Sequence, residues 1–119
     1  MWPGFPAMPD RAEPPLPAST LVPAICRQVV SAGGFATVLA RGSQWGGALL
    51  LVHRWQGVVK AYEKMPTLSG AAHWRQAAEG DSAVDAFVAS QQRFDSDLWV
   101  LELDIADPAR FIPGLPASG

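Results

Sequence analysis

Cysteine is almost missing from this chain: Cys26 is the only one among 119 residues. No intrachain disulfide can form, and no second thiol stands at ligand spacing for zinc. Charge of one sign is also lacking. The formal net charge of −2 is too small to single out nucleic acid or an anionic membrane as a partner. Long apolar runs are absent: the longest, Ala48 to Val52, is strand-sized, far below a membrane span. The start has no basic segment, and its prolines interrupt any apolar stretch, so no secretory signal is expected and a cytoplasmic location is. Asparagine is missing, and lysine occurs only at Lys60 and Lys64 against seven arginines, a bias of coding composition.

Proline is unevenly spread, with seven of eleven inside residues 1–23. Residues 1–18 have no apolar period and are predicted to be a flexible tail. Residues 19–112 are predicted as one domain and 113–119 as a second flexible tail. Charge is uneven as well. Residues 35–80 hold Arg41, Arg54, Lys60, Lys64 and Arg75 against Glu63 and Glu79, whereas residues 81–110 hold seven acids against two arginines. A basic hairpin surface facing an acidic helix–strand surface within one domain accounts for this.

Periodicity then places the elements. Ile25, Val29 and Ala32 form one apolar stripe, so Pro23–Ala32 is predicted helical, with Thr20–Val22 extended before it. Gly33-Gly34 stops the helix. Strands are predicted at Phe35–Arg41, Gly47–Trp55 and Val58–Glu63, with Gln56-Gly57 as a two-residue hairpin turn. Pairing Trp55 with Val58 sets His53 opposite Lys60 and Leu51 opposite Tyr62. Pairing Arg41 with Gly47 then puts Ala36, Val38 and Ala40 beside Leu50, Val52, Val59 and Ala61 on a small aliphatic face. Phe35, Leu39, Leu49, Leu51, His53, Trp55, Lys60 and Tyr62 fall on a larger, mixed face. Ala71–Ala78 fits either a strand or a short helix. A helix over Ala83–Arg93, capped by Asp81 or Ser82, carries Val84, Phe87, Val88 and Gln91 on one stripe. Leu98–Ile105 alternates as a strand, and Asp107 can cap a last turn to Phe111. The fold class is therefore α+β: a small antiparallel sheet, a three-strand meander plus a C-terminal strand, packed on one face by two helices.

Three pieces of this sequence together resemble a known family. They are Cys26-Arg27 with Ser31-Ala32-Gly33-Gly34-Phe35-Ala36, Arg41-Gly42 through Gly46-Gly47-Ala48-Leu49-Leu50, and the run Arg93-Phe94-Asp95-Ser96-Asp97-Leu98-Trp99-Val100-Leu101-Glu102-Leu103-Asp104. The chain from about Thr20 to Phe111 is similar to an alphaproteobacterial family of proteins of this length, defined only as a domain of unknown function. The resemblance implies a bacterial, cytoplasmic source and brings no activity, cofactor or catalytic residue with it.

The chemistry-bearing residues are few. Glu102 and Asp104 stand two apart on a strand and share a face. Asp95, Asp97 and Asp107 lie just beyond its ends. Hard cations take such oxygens, so Asp95, Asp97, Glu102 and Asp104 are the metal candidates. Glu102 and Asp104 are likewise the catalytic candidates of a metal-dependent hydrolase. The alternative is architectural: solvent-side acids of a half-buried strand, with aspartates holding turns and caps. His53 and His73 have no partner at metal spacing, and Cys26 falls beside the core stripe. The loop Gly42-Ser43-Gln44-Trp45-Gly46-Gly47 joins two strands and lacks the lysine of a phosphate loop. No cofactor motif is recognisable, and none is expected. Trp45, Trp55, Lys60 and Tyr62 make an aromatic, basic interaction surface. A non-catalytic interaction domain, homodimeric or bound to a protein partner through that surface, is the leading expectation. The metal-dependent hydrolase is the alternative, and single-strand nucleic-acid binding through Arg54, Trp55, Lys60 and Tyr62 the weaker one.

Overall fold

The computed structural model describes residues 16–46, 48–69 and 71–116. In chain order these form α1 (Ala18–Ser31), β1 (Phe35–Ala40), β2 (Leu49–Trp55), β3 (Val58–Lys64), β4 (Trp74–Glu79), α2 (Asp81–Phe94), β5 (Trp99–Asp104) and a 3-10 turn, Pro108–Arg110. Ala71–Ala78 thus resolves as a strand with a short lead-in. The sheet has five strands in the order β1-β5-β2-β3-β4. β2, β3 and β4 are an antiparallel meander.

The hairpin register is the expected one, from Trp55↔Val58 to Leu51↔Tyr62. Gln56 and Gly57 both take positive φ, 51° and 82°, which matches the twist of the flanking strands. The other expected pairing, Arg41 with Gly47, is not made. β5 inserts between β1 and β2, antiparallel to the first and parallel to the second. Two features explain the insertion. Gly42 lies against the Asp97 carbonyl and the Trp99 ring, where a Cβ would collide. Ser43 N–H donates to Asp97 O (3.0 Å), and Trp99 Nε1–H donates to Ser43 O (2.9 Å). The loop after β1 is therefore tied to the start of β5.

That insertion redistributes the side chains. Ala36 and Val38 lie opposite Leu103 and Leu101, on the face covered by α1, and not beside Leu50 and Val52 as expected. The two helices also do not share a face. Ala18, Val22, Ile25 and Val29 of α1 pack with Leu49, Leu51, Tyr62, Leu101 and Leu103. Val84 of α2, with Phe87 and Val88, packs on the other side against Leu50, Val52, Val59, Ala61 and Val100. Each helix is amphipathic along a single stripe, so two-sided burial of the central strands requires one helix per face. Leu49 to His53 are accordingly all buried.

α1 begins five residues before Pro23, and Thr20–Val22 is helical. Ala18, Val22, Ile25 and Val29 recur at i, i+4, i+7 and i+11, so burial of that stripe outweighs the backbone bond that Pro23 cannot donate. The expected N-terminal tail lies mostly outside the described residues, but its last residue, Ala18, is buried in α1. At the other end, 113–116 are docked: Leu115 is buried, and Trp74 N–H donates to Gly114 O (3.2 Å).

Candidate functional site

The acidic run is spread along β5. Asp95 and Asp97 precede the strand and Asp104 ends it, and the strand itself spans roughly 17 Å. Asp95 is a turn residue: its Oδ1 accepts from Asp97 N–H (2.9 Å), and its carbonyl accepts from Leu98 N–H (3.2 Å). Neither Asp107 nor Asp81 caps its helix through the side chain; Gly80 is the N-cap of α2. Asp81 instead meets Arg54 (Nη1–Oδ1 3.1 Å). Glu102 also turns to Arg54 (Nε–Oε1 3.4 Å). The Asp81 hydrogen bond, with Glu102 assisting, holds the Arg54 guanidinium above its already high ordinary range. This pairing joins the basic hairpin to the acidic helix–strand unit, as the charge distribution suggested.

Glu102 lines a small groove of about 140 Å³ between α2 and β1, with Leu39, Val52, Arg54, Val84 and Asp85. Asp104 shares its face but does not reach the groove. Among the described residues no group of three or more His, Cys, Asp and Glu side chains could hold a metal ion. The metal candidates Asp95, Asp97, Glu102 and Asp104 are therefore not brought together, and Glu102, the one of these four that lines the groove, is paired with Arg54.

His53 is buried and serves the fold. Its Nε2–H donates to Ile105 O (2.7 Å), which fixes the tautomer and ties β2 to the chain leaving β5. His73 is exposed, and its carbonyl accepts from Met65 N–H (2.7 Å). Cys26 is half-buried, and burial pushes its thiol up, away from the thiolate form.

The aromatic, basic set divides. Tyr62 is 4% exposed and belongs to the α1-side core; burial, with Glu79 nearby, pushes its phenol up. Trp45 is 86% exposed but sits in the β1–β2 loop, at the opposite end of β2 from Trp55. Trp55, Val58 and Lys60 do come together, around a hollow of about 190 Å³ with His53, Gln56 and Ala106. Arg54 points to the other face, so the four residues of the nucleic-acid reading do not form one stacking surface.

A different apolar surface lies at the edge. Among the described residues β1 pairs only with β5, and its six residues carry no charge. Phe35 is 72% exposed, Leu39 50% and Val38 36%. Leu39 is the extra residue of a bulge between Val38 and Ala40. It lines the α2-side groove, so it joins Phe35 and Thr37 on that side. α2 packs over β3 and β4 and leaves this row open. Pairing β1 directly with β2 groups Phe35 and Leu39 with Trp55; the insertion of β5 separates them. The signal for their true place was the continuous apolar run of β2, which marks a strand flanked on both sides.

The family model described as "Protein of unknown function (DUF1491)" matches residues 16–113. The chain belongs to this family. DUF1491 members share its fold. The solution structure of protein Atu0922 from A. tumefaciens is 27% identical, with a TM-score of 0.73 over 87% of this chain and 97% of that one. A crystal structure of a DUF1491 protein from Caulobacter crescentus is 27% identical, with a TM-score of 0.70 over 82% and 95%. An NMR structure of a DUF1491 protein from the same organism is 25% identical, with a TM-score of 0.72 over 87% and 97%. No curated protein matches the chain. The resemblance to an alphaproteobacterial family of unknown function is thus borne out. No helix among the described residues is long and apolar enough to cross a membrane.

Proposed function

We propose that this DUF1491 protein is a small, non-catalytic interaction domain of the cytoplasm that works through the β1 margin of its sheet. One observation carries the reading: an uncharged edge strand with Phe35, Val38 and Leu39 exposed. Unpaired strand edges of this kind are templates for another chain, and folded proteins ordinarily blunt them. Exposed apolar side chains that line up, unlike scattered ones, mark contact surfaces. Trp55 and Lys60 lie at the hairpin tip on the opposite, α1-side face of the sheet. That tip lies at the same end of the sheet as Phe35, since Phe35, Asp104 and Arg54 share one row of the register. Trp45 is a separate exposed aromatic beyond the other end.

The test is a photo-cross-linking amino acid placed at Leu39 and, as control, at Gln76 on the opposite edge, in cells that express the full chain. A covalent adduct to another polypeptide from Leu39 and none from Gln76 is expected. Absence of any adduct from Leu39 overturns the reading.

A further inference from the structure

We propose that the occupant of the β1 edge is a second copy of this chain, with the two β1 strands antiparallel about a two-fold axis through Thr37. The sheets of two copies then run on as one. This inference rests on the interaction-domain reading and adds the identity of the partner.

The backbone asks for a strand. β1 is bonded to β5 on one side, and no other backbone hydrogen bond among the described residues reaches 35–40. Its outward N–H and C=O groups are therefore without backbone partners among those residues, as on any open edge. No Pro or Gly interrupts the strand, and no charge repels a neighbour.

The chain's described ends do not supply the cover. Leu16, where the described chain begins, lines a cavity with Lys64, Met65 and Trp74 on the β3–β4 side. Gly114 and Leu115, near its end, sit against Trp74 on the same side. Leu16 and Leu115 thus both lie on the far side of the sheet from β1.

Symmetry then favours self-pairing. An antiparallel two-fold stands normal to the sheet and keeps each side chain on its own face, so a central residue must meet itself. With Thr37 at the centre, Thr37 meets Thr37 of the second copy. Phe35 meets Leu39 twice, and Ala36 meets Val38 twice. Each large side chain faces one it can pack against, and threonine pairs with threonine, combinations that stabilise neighbouring strands. The first three of these residues sit on the α2 side, where each copy leaves β1 uncovered. The two open rows lie side by side between the two α2 helices. The bulge at Leu39 ends the pairing, so the interface is short. Interfaces below about 1,200 Å² give transient complexes, and a dissociation constant on the order of micromolar follows.

Sedimentation equilibrium of the full chain tests this. The mass should rise from 12.7 kDa towards twice that value as concentration climbs through the micromolar range. Thr37→Lys and Thr37→Glu should each hold the monomer mass with unchanged circular dichroism, because like charges would meet on the axis. An equimolar mixture of the two should dimerise again. Hydrogen exchange of the wild type should slow at residues 35–39 as concentration rises. A monomer at every concentration overturns the proposal. So do a dimer that survives Thr37→Lys but is lost in Trp55→Ser, a mixture that stays monomeric, and exchange at 35–39 that ignores concentration. A monomeric wild type whose Leu39 position still cross-links to a different polypeptide overturns the second copy alone and leaves the interaction-domain reading standing.

Discussion

The two edges of the sheet are built on opposite plans. β4 carries Arg75, Gln76 and Glu79. Arg75 is held across to Glu63 of β3 (Nε–Oε2 2.7 Å), and the Trp74 N–H is covered by the Gly114 carbonyl. Charge, a cross-strand ion pair and a docked C-terminal turn all close this edge. β1 has only its bulge; among the described residues its outer backbone row has no backbone partner, and its side chains carry no charge. In the proposed dimer, this difference between the margins is what directs association to β1. The contrast also explains why 113–116 fold back on the domain: they guard β4 while burying Leu115 beside Trp74.

The comparison can be broken from the guarded side first. Leu115→Ala removes a buried side chain and loosens the turn over β4, and should cost about 2–3 kcal/mol in urea unfolding. Phe35→Ser, on the bare edge, should leave the stability of dilute protein within about 0.5 kcal/mol, because an exposed side chain loses little by truncation. Equal losses from the two would show that β1 is not the open margin.

A second change exchanges the character of the edges. Arg75→Val with Glu79→Val deletes the Glu63–Arg75 pair, which should cost only about 0.5 kcal/mol at this exposure. It should also create a second sticky edge, seen in light scattering as species larger than a dimer. Mass that stays at the wild-type value would mean that the docked turn alone guards β4.

The smallest expected effect is on the open side of β5. Titration of the protein with magnesium or manganese should release no heat beyond dilution, since Glu102 is paired with Arg54 and Asp104, Asp95 and Asp97 do not converge on it. Saturable heat that disappears in Glu102→Gln would restore the metal reading.

Much of the local structure was legible in the residues. The Gln56-Gly57 turn fixed the hairpin register, since neither the turn nor the strand alternation tolerates a slip. The α2 stripe came through at Val84, Phe87 and Val88, since a helical period is as local as strand alternation. The acids of the run from Asp95 to Asp107 were harder to place, because a carboxylate in a turn and a carboxylate on a metal look alike until their neighbours are known. Arg54 decides the matter for Glu102, and its approach depends on β2 lying next to β5. Tyr62 of β3 and Trp55 of β2 share one face of the sheet, yet one is core and the other rim, a difference set by how far α1 reaches.

By itself the sequence determined what is local and periodic: an α+β domain, two amphipathic helices, a hairpin in fixed register, and membership of a family of unknown function. Only the tertiary structure decided that β5 enters between β1 and β2, that the helices take opposite faces, and that Phe35, Thr37 and Leu39 border an open edge. Local pairing is encoded in turns and alternation, which act over a few residues. The place of a strand in a sheet is settled by pairing across long chain separations, here by Gly42 and Ser43 meeting Asp97 and Trp99. That meeting leaves no periodic trace to read.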